Sequence, residues 1–184
     1  MTFSRSVLYP ALLGCCAVLL VGCIPVKDVT QAWEDGSADE DLRGQWAVAG
    51  NPDQNVGFET TDGQYLITSS SDGLEGGVRT VEVGEHKYLV VVSLRAAIRG
   101  FDKIDDDVKS GNLLRYELDG DTLTIYQYDD DALGNAIDNG DVKGENSEDD
   151  SPTLETVDDP ALQWLAEIAE QDAGWTATVY QRED

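Results

Sequence analysis

Cysteine is scarce in this 184-residue chain, and its placement removes a whole class of architecture. The three cysteines all lie within the first 23 positions, so no disulfide framework can staple the remaining residues and the fold must stand on its apolar core. Histidine is scarcer still. His86 is the only one, which excludes a multi-histidine zinc site and makes any histidine-based triad depend on that one residue. Its position beside a hairpin turn reads as surface rather than as a base. Positive charge is the third deficit: 12 Lys and Arg stand against 37 Asp and Glu, a formal charge of -25. Nucleic acid and anionic headgroups would be repelled, whereas cations and basic proteins would be attracted. A nucleophile elbow, a phosphate loop and a metal-binding helix motif are all missing. The chain therefore reads as a non-enzyme with no cofactor and no metal.

A long apolar run is also missing, because residues 7–21 fall short of the roughly 20 that a spanning helix needs and include Pro10. What they make instead, with Arg5 ahead of them and small residues behind, is the three-part build of a secretory signal. The run closes on Leu20-Val21-Gly22-Cys23, which closely resembles the lipobox of bacterial lipoproteins. Leu12-Leu13-Gly14-Cys15 is similar, but cutting there would leave a very short apolar segment. The resemblance implies a diacylglycerol on the Cys23 thiol, cleavage just before Cys23 and acylation of the new amine. More than one acyl chain makes such anchoring stable. It also implies a lipid-anchored protein of the bacterial cell envelope. Ile24 stands where inner-membrane-retained lipoproteins of many Gram-negative bacteria carry aspartate, so the outer membrane is expected if the source has one.

The composition then divides the chain into a signal peptide at 1–22, a flexible acidic tether at 23–41 in which Trp33 is the one large exception, and a single domain at 42–184. Within the domain, short β-prone runs alternate with turn signals and make three hairpins. Asp119-Gly120 as a two-residue loop sets Tyr116 opposite Leu123 and Leu114 opposite Ile125, with Glu117 and Arg115 on the other face. Asp62-Gly63 sets Phe58 opposite Ile67 and Thr60 opposite Tyr65. Gly84-Glu85 sets Val81 opposite Tyr88, Val78 opposite Val91 and Glu82 opposite Lys87, the last an opposite-charge pair.

The strand from His86 is apolar on both faces, with Tyr88, Val90 and Val92 on one and Leu89 and Val91 on the other, so its outer side needs a cover. Residues 160–173 supply it as a helix: Asp159 can cap it, Pro160 suits its first turn, Gly174 can end it, and Trp164, Leu165 and Ile168 lie on a broad apolar face. A short strand at 153–157 precedes the helix and a closing strand at 175–181 comes after it. The fold class is therefore all-β with one helix, an antiparallel up-and-down barrel or strongly curled meander, the C-terminal helix packed on the sheet before the closing strand. Gly44-Gln45-Trp46 matches the glycine-any-tryptophan signature of the lipocalin-like group, and Arg182 stands where that group's late arginine packs over the tryptophan. Lipocalins place a longer helix between their eighth strand and a short extra one, which this chain does not match.

A barrel of this kind implies inward aromatics, and Trp46, Phe58, Tyr65, Tyr88 and Tyr116 are the candidate ligand-binding set. The function read from them is enclosure of a small apolar or amphipathic ligand. The alternative is a filled barrel that meets an envelope protein on its outside. Arg95, Arg99 and Lys103 would share a helical face and could contact an anion or acidic partner, although Asp102, Asp105, Asp106 and Asp107 stand beside them to neutralise it. The acidic stretch 129–152 has carboxylates spaced as calcium would need, but Leu133 takes a ligand position of the EF-hand register, so it reads as a solvated loop. The partners expected are the membrane, through acylated Cys23, and the ligand or envelope protein; nucleic acid is excluded.

Overall fold

The computed structural model describes residues 23–61, 64–69, 75–93, 109–146, 151–171 and 174–183, with the backbone alone at 61, 64–69 and 75. In chain order the elements are β1 (Ile24–Asp28), α1 (Thr30–Asp35), a 3-10 turn (Glu40–Leu42), β2 (Gly44–Val48), β3 (Asn51–Thr61), β4 (Gln64–Ser69), β5 (Glu75–Val83), β6 (His86–Ser93), β7 (Gly111–Asp119), β8 (Thr122–Tyr128), α2 (Asp130–Asn139), β9 (Gly144–Glu145), β10 (Thr153–Thr156), α3 (Asp159–Ala169) and β11 (Trp175–Arg182). The protein is mostly β with few helices.

Among the described residues, all eleven strands belong to one sheet, in the order β6-β5-β4-β3-β2-β11-β8-β7-β1-β10-β9, and β6 also pairs with β7. Eight of them, β2 to β8 and β11, thus each lie antiparallel to two others of the eight. The sheet as a whole departs from the expected antiparallel meander. It is mixed, because β1 runs parallel to β10, and it does not close into a simple barrel, because it continues through β1 and β10 to an edge at β9. The cause lies along β7. Its residues 115–119 pair with β8, whereas Gly111, Asn112 and Leu113 pair with β1, which takes the side that β8 leaves.

Two hairpins have the expected register. Phe58 lies opposite Ile67 and Thr60 opposite Tyr65, and Val81 faces Tyr88, Val78 faces Val91 and Glu82 faces Lys87. The third is corrected. Tyr116 lies opposite Ile125 and Leu118 opposite Leu123, so the loop is Gly120-Asp121 rather than Asp119-Gly120. Gly120 has φ 57, and only glycine takes that conformation without strain. The shift moves each partner by two residues, so the faces remain as expected.

The expected tether is also corrected. Residues 24–42 are part of the fold: β1 pairs with β7 and β10, and Val26, Val29, Trp33 and Leu42 are buried. The expectation of a single helix fails at α2, which forms inside the presumed acidic loop. Asp129 caps it by accepting from the Asp131 amide at 2.8 Å, Asp130 and Asp131 favour its N-terminal dipole, and Gly140 ends it in the left-handed conformation. The C-terminal helix, α3, starts one residue early and ends sooner than expected. Asp158, not Asp159, is its cap, accepting from the Ala161 amide at 3.2 Å. Pro160 has no amide hydrogen to offer, so the bond goes to the next residue.

Two cores result. The inner one gathers Trp46, Val56, Phe58, Val78, Leu89, Leu114, Tyr116, Leu123, Ile125 and Tyr180 from the eight-strand set. The outer one lies on the opposite side of β6 and β7, where Tyr88, Val90, Val92 and Leu113 meet β1, Trp33 of α1, Leu133 of α2, and Trp164, Leu165 and Ile168 of α3. The apolar strand β6 is covered on both faces, as its composition requires.

Candidate functional site

Among the described residues, the inner core is filled by its own side chains. Trp46, Val78 and Leu123 are 0 % exposed and Phe58 and Tyr116 are 1 % exposed; side chains so completely covered border no void large enough for a water molecule. Of the five aromatics expected to line a ligand cavity, Trp46, Phe58 and Tyr116 do come together there. Tyr88 does not. It belongs to the outer core, where its hydroxyl donates to the Leu165 carbonyl at 3.0 Å, giving a buried O–H its partner at α3. The side chain of Tyr65 lies outside the described residues, as do Arg95, Arg99 and Lys103.

Two polar closures flank the 3-10 turn Glu40–Leu42 at the same end of the inner core. At one, the Trp46 indole donates to the Leu42 carbonyl at 2.7 Å, and the Arg182 guanidinium lies 4.2 Å from the centre of the ring. Arg182 also donates to the Arg43 and Asp41 carbonyls at 2.6 and 2.8 Å. Gly44, with φ 128, is needed below it: a Cβ there would come within 3.2 Å of the guanidinium. At the other closure, Asp39 accepts from Lys87 and Tyr116, each at 2.7 Å, and the Thr80 hydroxyl lies 3.2 Å from that of Tyr116. Burial raises the Asp39 carboxyl, yet the hydrogen bonds from Lys87, Tyr116 and the Asp41 amide outweigh it and hold it below the ordinary value. For Tyr116, burial foremost pushes the phenol far up, so it stays a donor.

Cys23 is buried beside the inner core, and its thiol donates to the Asn112 side-chain oxygen at 3.2 Å. Burial raises its pKa, with a backbone hydrogen bond opposing, so in the folded chain the sulfur is a covered thiol and a poor nucleophile. His86 is half-buried and its ring lies 3.1 Å from Glu170 of the segment after α3.

Among the described residues, one open concavity lies between α2 and α3, and a second, of about 650 Å³, lies beside the 84–85 and 120–121 turns, where Glu85, Lys87, Glu117 and Asp119 line it. The first is a groove of about 560 Å³, within the size range of ligand sites. Tyr128 and Trp164 form its floor in an edge-to-face pair, 5.4 Å between centres. Asn135 and Asn139 stand one turn apart on α2, and Gln163, Glu167 and Gln171 recur at one-turn spacing along α3 and its end. Asp141 completes the rim. Sequence reasoning misses this site because the acidity of 129–152 reads as loop, although Asn135/Asn139 and Gln163/Glu167/Gln171 carry a visible four-residue period.

Among the described residues no group of three or more His, Cys, Asp or Glu is placed to hold a metal ion, and no helix is long and apolar enough to cross a membrane. No family model, no curated protein and no solved structure matches this chain.

Proposed function

We propose that this is a lipid-anchored, non-catalytic module of the bacterial cell envelope, with a lipocalin-like ring of eight strands that is filled and a partner bound on the outside. The observation that carries the outward reading is the inner core itself: with Trp46, Phe58, Tyr116 and Leu123 at 0–1 % exposure, a ligand could enter only by displacing side chains packed at solid density. The lipocalin-like part is supported by Gly44, Trp46 and Arg182, whose stack at one closure has the form that the glycine-any-tryptophan resemblance leads one to expect.

The anchor reading rests on Leu20-Val21-Gly22-Cys23, and the burial of Cys23 adds a condition to it. A diacylglyceryl group does not fit on a sulfur turned toward Asn112, so acylation precedes the folding of β1, and the start of β1 is displaced in the mature protein. With 24–42 folded in, the domain sits close to the membrane rather than on a long tether, and in a Gram-negative source that membrane is the outer one. Cys23→Ser removes the acceptor thiol. The expected result is an unprocessed, unacylated precursor by intact-mass measurement; a processed and acylated Cys23→Ser chain would refute the assignment of the anchor.

A further inference from the structure

We propose that the α2–α3 groove binds a neutral, polyhydroxylated ligand, that is, a saccharide. The proposal rests on the outward-binding reading above and names its ligand class.

The lining decides the class by exclusion and by fit. Among the described residues, none lining the groove is Lys, Arg or His, so a phosphate or carboxylate ligand would find no counter-charge there. Half of the lining is amide and carboxylate, set among apolar residues such as Ala132, Pro160 and Ile168, so an acyl chain would strand polar groups along its length. What the walls do offer is four side-chain amides, from Asn135, Asn139, Gln163 and Gln171, with Glu167 and Asp141 among them. Each amide presents donors and an acceptor in one plane, the complement of a hydroxyl, which both donates and accepts. A cationic ligand would use only the acceptors and leave the amide N–H groups idle.

Spacing supports the same class. The Asn135/Asn139 pair on α2 and the Gln163/Glu167/Gln171 series along α3 are two rows of planar polar groups with a one-turn repeat of about 5.4 Å, on the scale of one sugar ring. Gln163 donates to Glu167 at 2.9 Å, which holds that part of the row in register. Tyr128 and Trp164 add apolar surface beside these rows.

The test titrates the full chain, in zwitterionic detergent, with maltohexaose, cellohexaose and chitohexaose up to about 10 mM, a range in which millimolar binding registers. Tryptophan fluorescence and side-chain amide NMR shifts are monitored. At least one of the three is expected to bind saturably, with shifts at Asn135, Asn139, Gln163 and Gln171. The exposed pair Asn139→Ala/Gln163→Ala removes one amide from each row and should weaken binding by about tenfold or more while leaving the thermal melt unchanged. No response to any of the three, or a response that survives the double substitution, overturns the proposal. Hexalysine is titrated in parallel. If it shifts the groove amides and depends on Asp141 and Glu167, the saccharide class fails and outward binding stands. Palmitate is the last probe, and stoichiometric binding that perturbs Trp46 or Phe58 would instead overturn the outward-binding reading.

Discussion

Leu123→Ala is the substitution that most directly tests the filled inner core. Leu123 is 0 % exposed, lies opposite Leu118 of β7 and Tyr180 of β11, and sits in a strand paired with β11 along its whole length, from Thr122 to Tyr128. Ladders on both sides keep the backbone from moving into the space left by the side chain. The loss should therefore fall in the upper part of the range for buried leucine, about 3 to 5 kcal/mol, a large fraction of a domain stability of about 5 to 15 kcal/mol. Thr124, one residue along, is half-exposed on the other face, between Glu117 and Val179. Thr124→Ala removes no core volume and should cost under about 1 kcal/mol, mostly as lost strand preference. Urea melts of the chain from residue 23 onward measure both, and midpoints compared at a common slope give the difference. Equal losses would mean that both faces of β8 are packed at this point. A larger loss for Thr124→Ala would refute the inward assignment of Leu123 and, with it, the argument that the ring is full.

Two further substitutions probe the closures of the inner core. Because the folded Asp39 carboxyl lies below its ordinary value, the stability it confers is present above the unfolded pKa near 3.9 and is lost as pH falls through the folded one. Melts between pH 7 and about pH 2 should thus show a shallower acid loss for Asp39→Asn than for the parent chain, and parallel acid limbs would refute the role given to the Lys87 and Tyr116 bonds. Arg182→Ala uncovers the Trp46 ring and leaves the Arg43 and Asp41 carbonyls to water, which should cost about 1 kcal/mol and shift tryptophan emission to the red; full recovery by Arg182→Lys would show that charge alone, and not the fork that reaches Arg43 and Asp41, is what matters.

The limits of sequence reading here are physical. Alternation assigns a residue to a face, but it is unchanged when every cross-strand partner slides by two, so Leu114, Tyr116, Leu118, Leu123 and Ile125 are legible as one face while their pairing is not. That pairing is set by which residue takes the positive φ, and Asp119-Gly120-Asp121 offers two frames for one glycine. Tyr88 shows the same limit from the other side. Its alternation with Val90 and Val92 is visible in the sequence, but which face of β6 turns inward depends on where α3 packs, a non-local fact. β1 escapes notice because it is a five-residue segment with only Ile24 and Val26 as large apolar positions, and its partners, β7 and β10, lie far along the chain. α2 is the avoidable miss: Asp129, Leu133, Ala136, Ile137 and Gly140 mark its cap, apolar face and end, and charge density alone does not make a loop.

The groove itself depends on contacts that no local pattern encodes. The rows on α2 and α3 can act together only if the helices are held at a fixed separation, and the sheet does this at the far end of α3. Arg115 of β7 donates to the Ala169 carbonyl at 2.9 Å, the indole of Trp175 in β11 donates to the Ile168 carbonyl at 3.0 Å, and Tyr128 at the end of β8 packs against both Trp164 and Trp175. Two strands thus satisfy open carbonyls of the helix end while a third packs against it, and the guanidinium adds favourable charge at the negative end of its dipole. Neutral hydrogen-bonding ligands release little free energy per contact, so a wall that had to be ordered on binding would consume most of it. A groove whose wall is ordered beforehand by the sheet avoids that cost, which favours the proposed recognition on α2 and α3 over the packed interior.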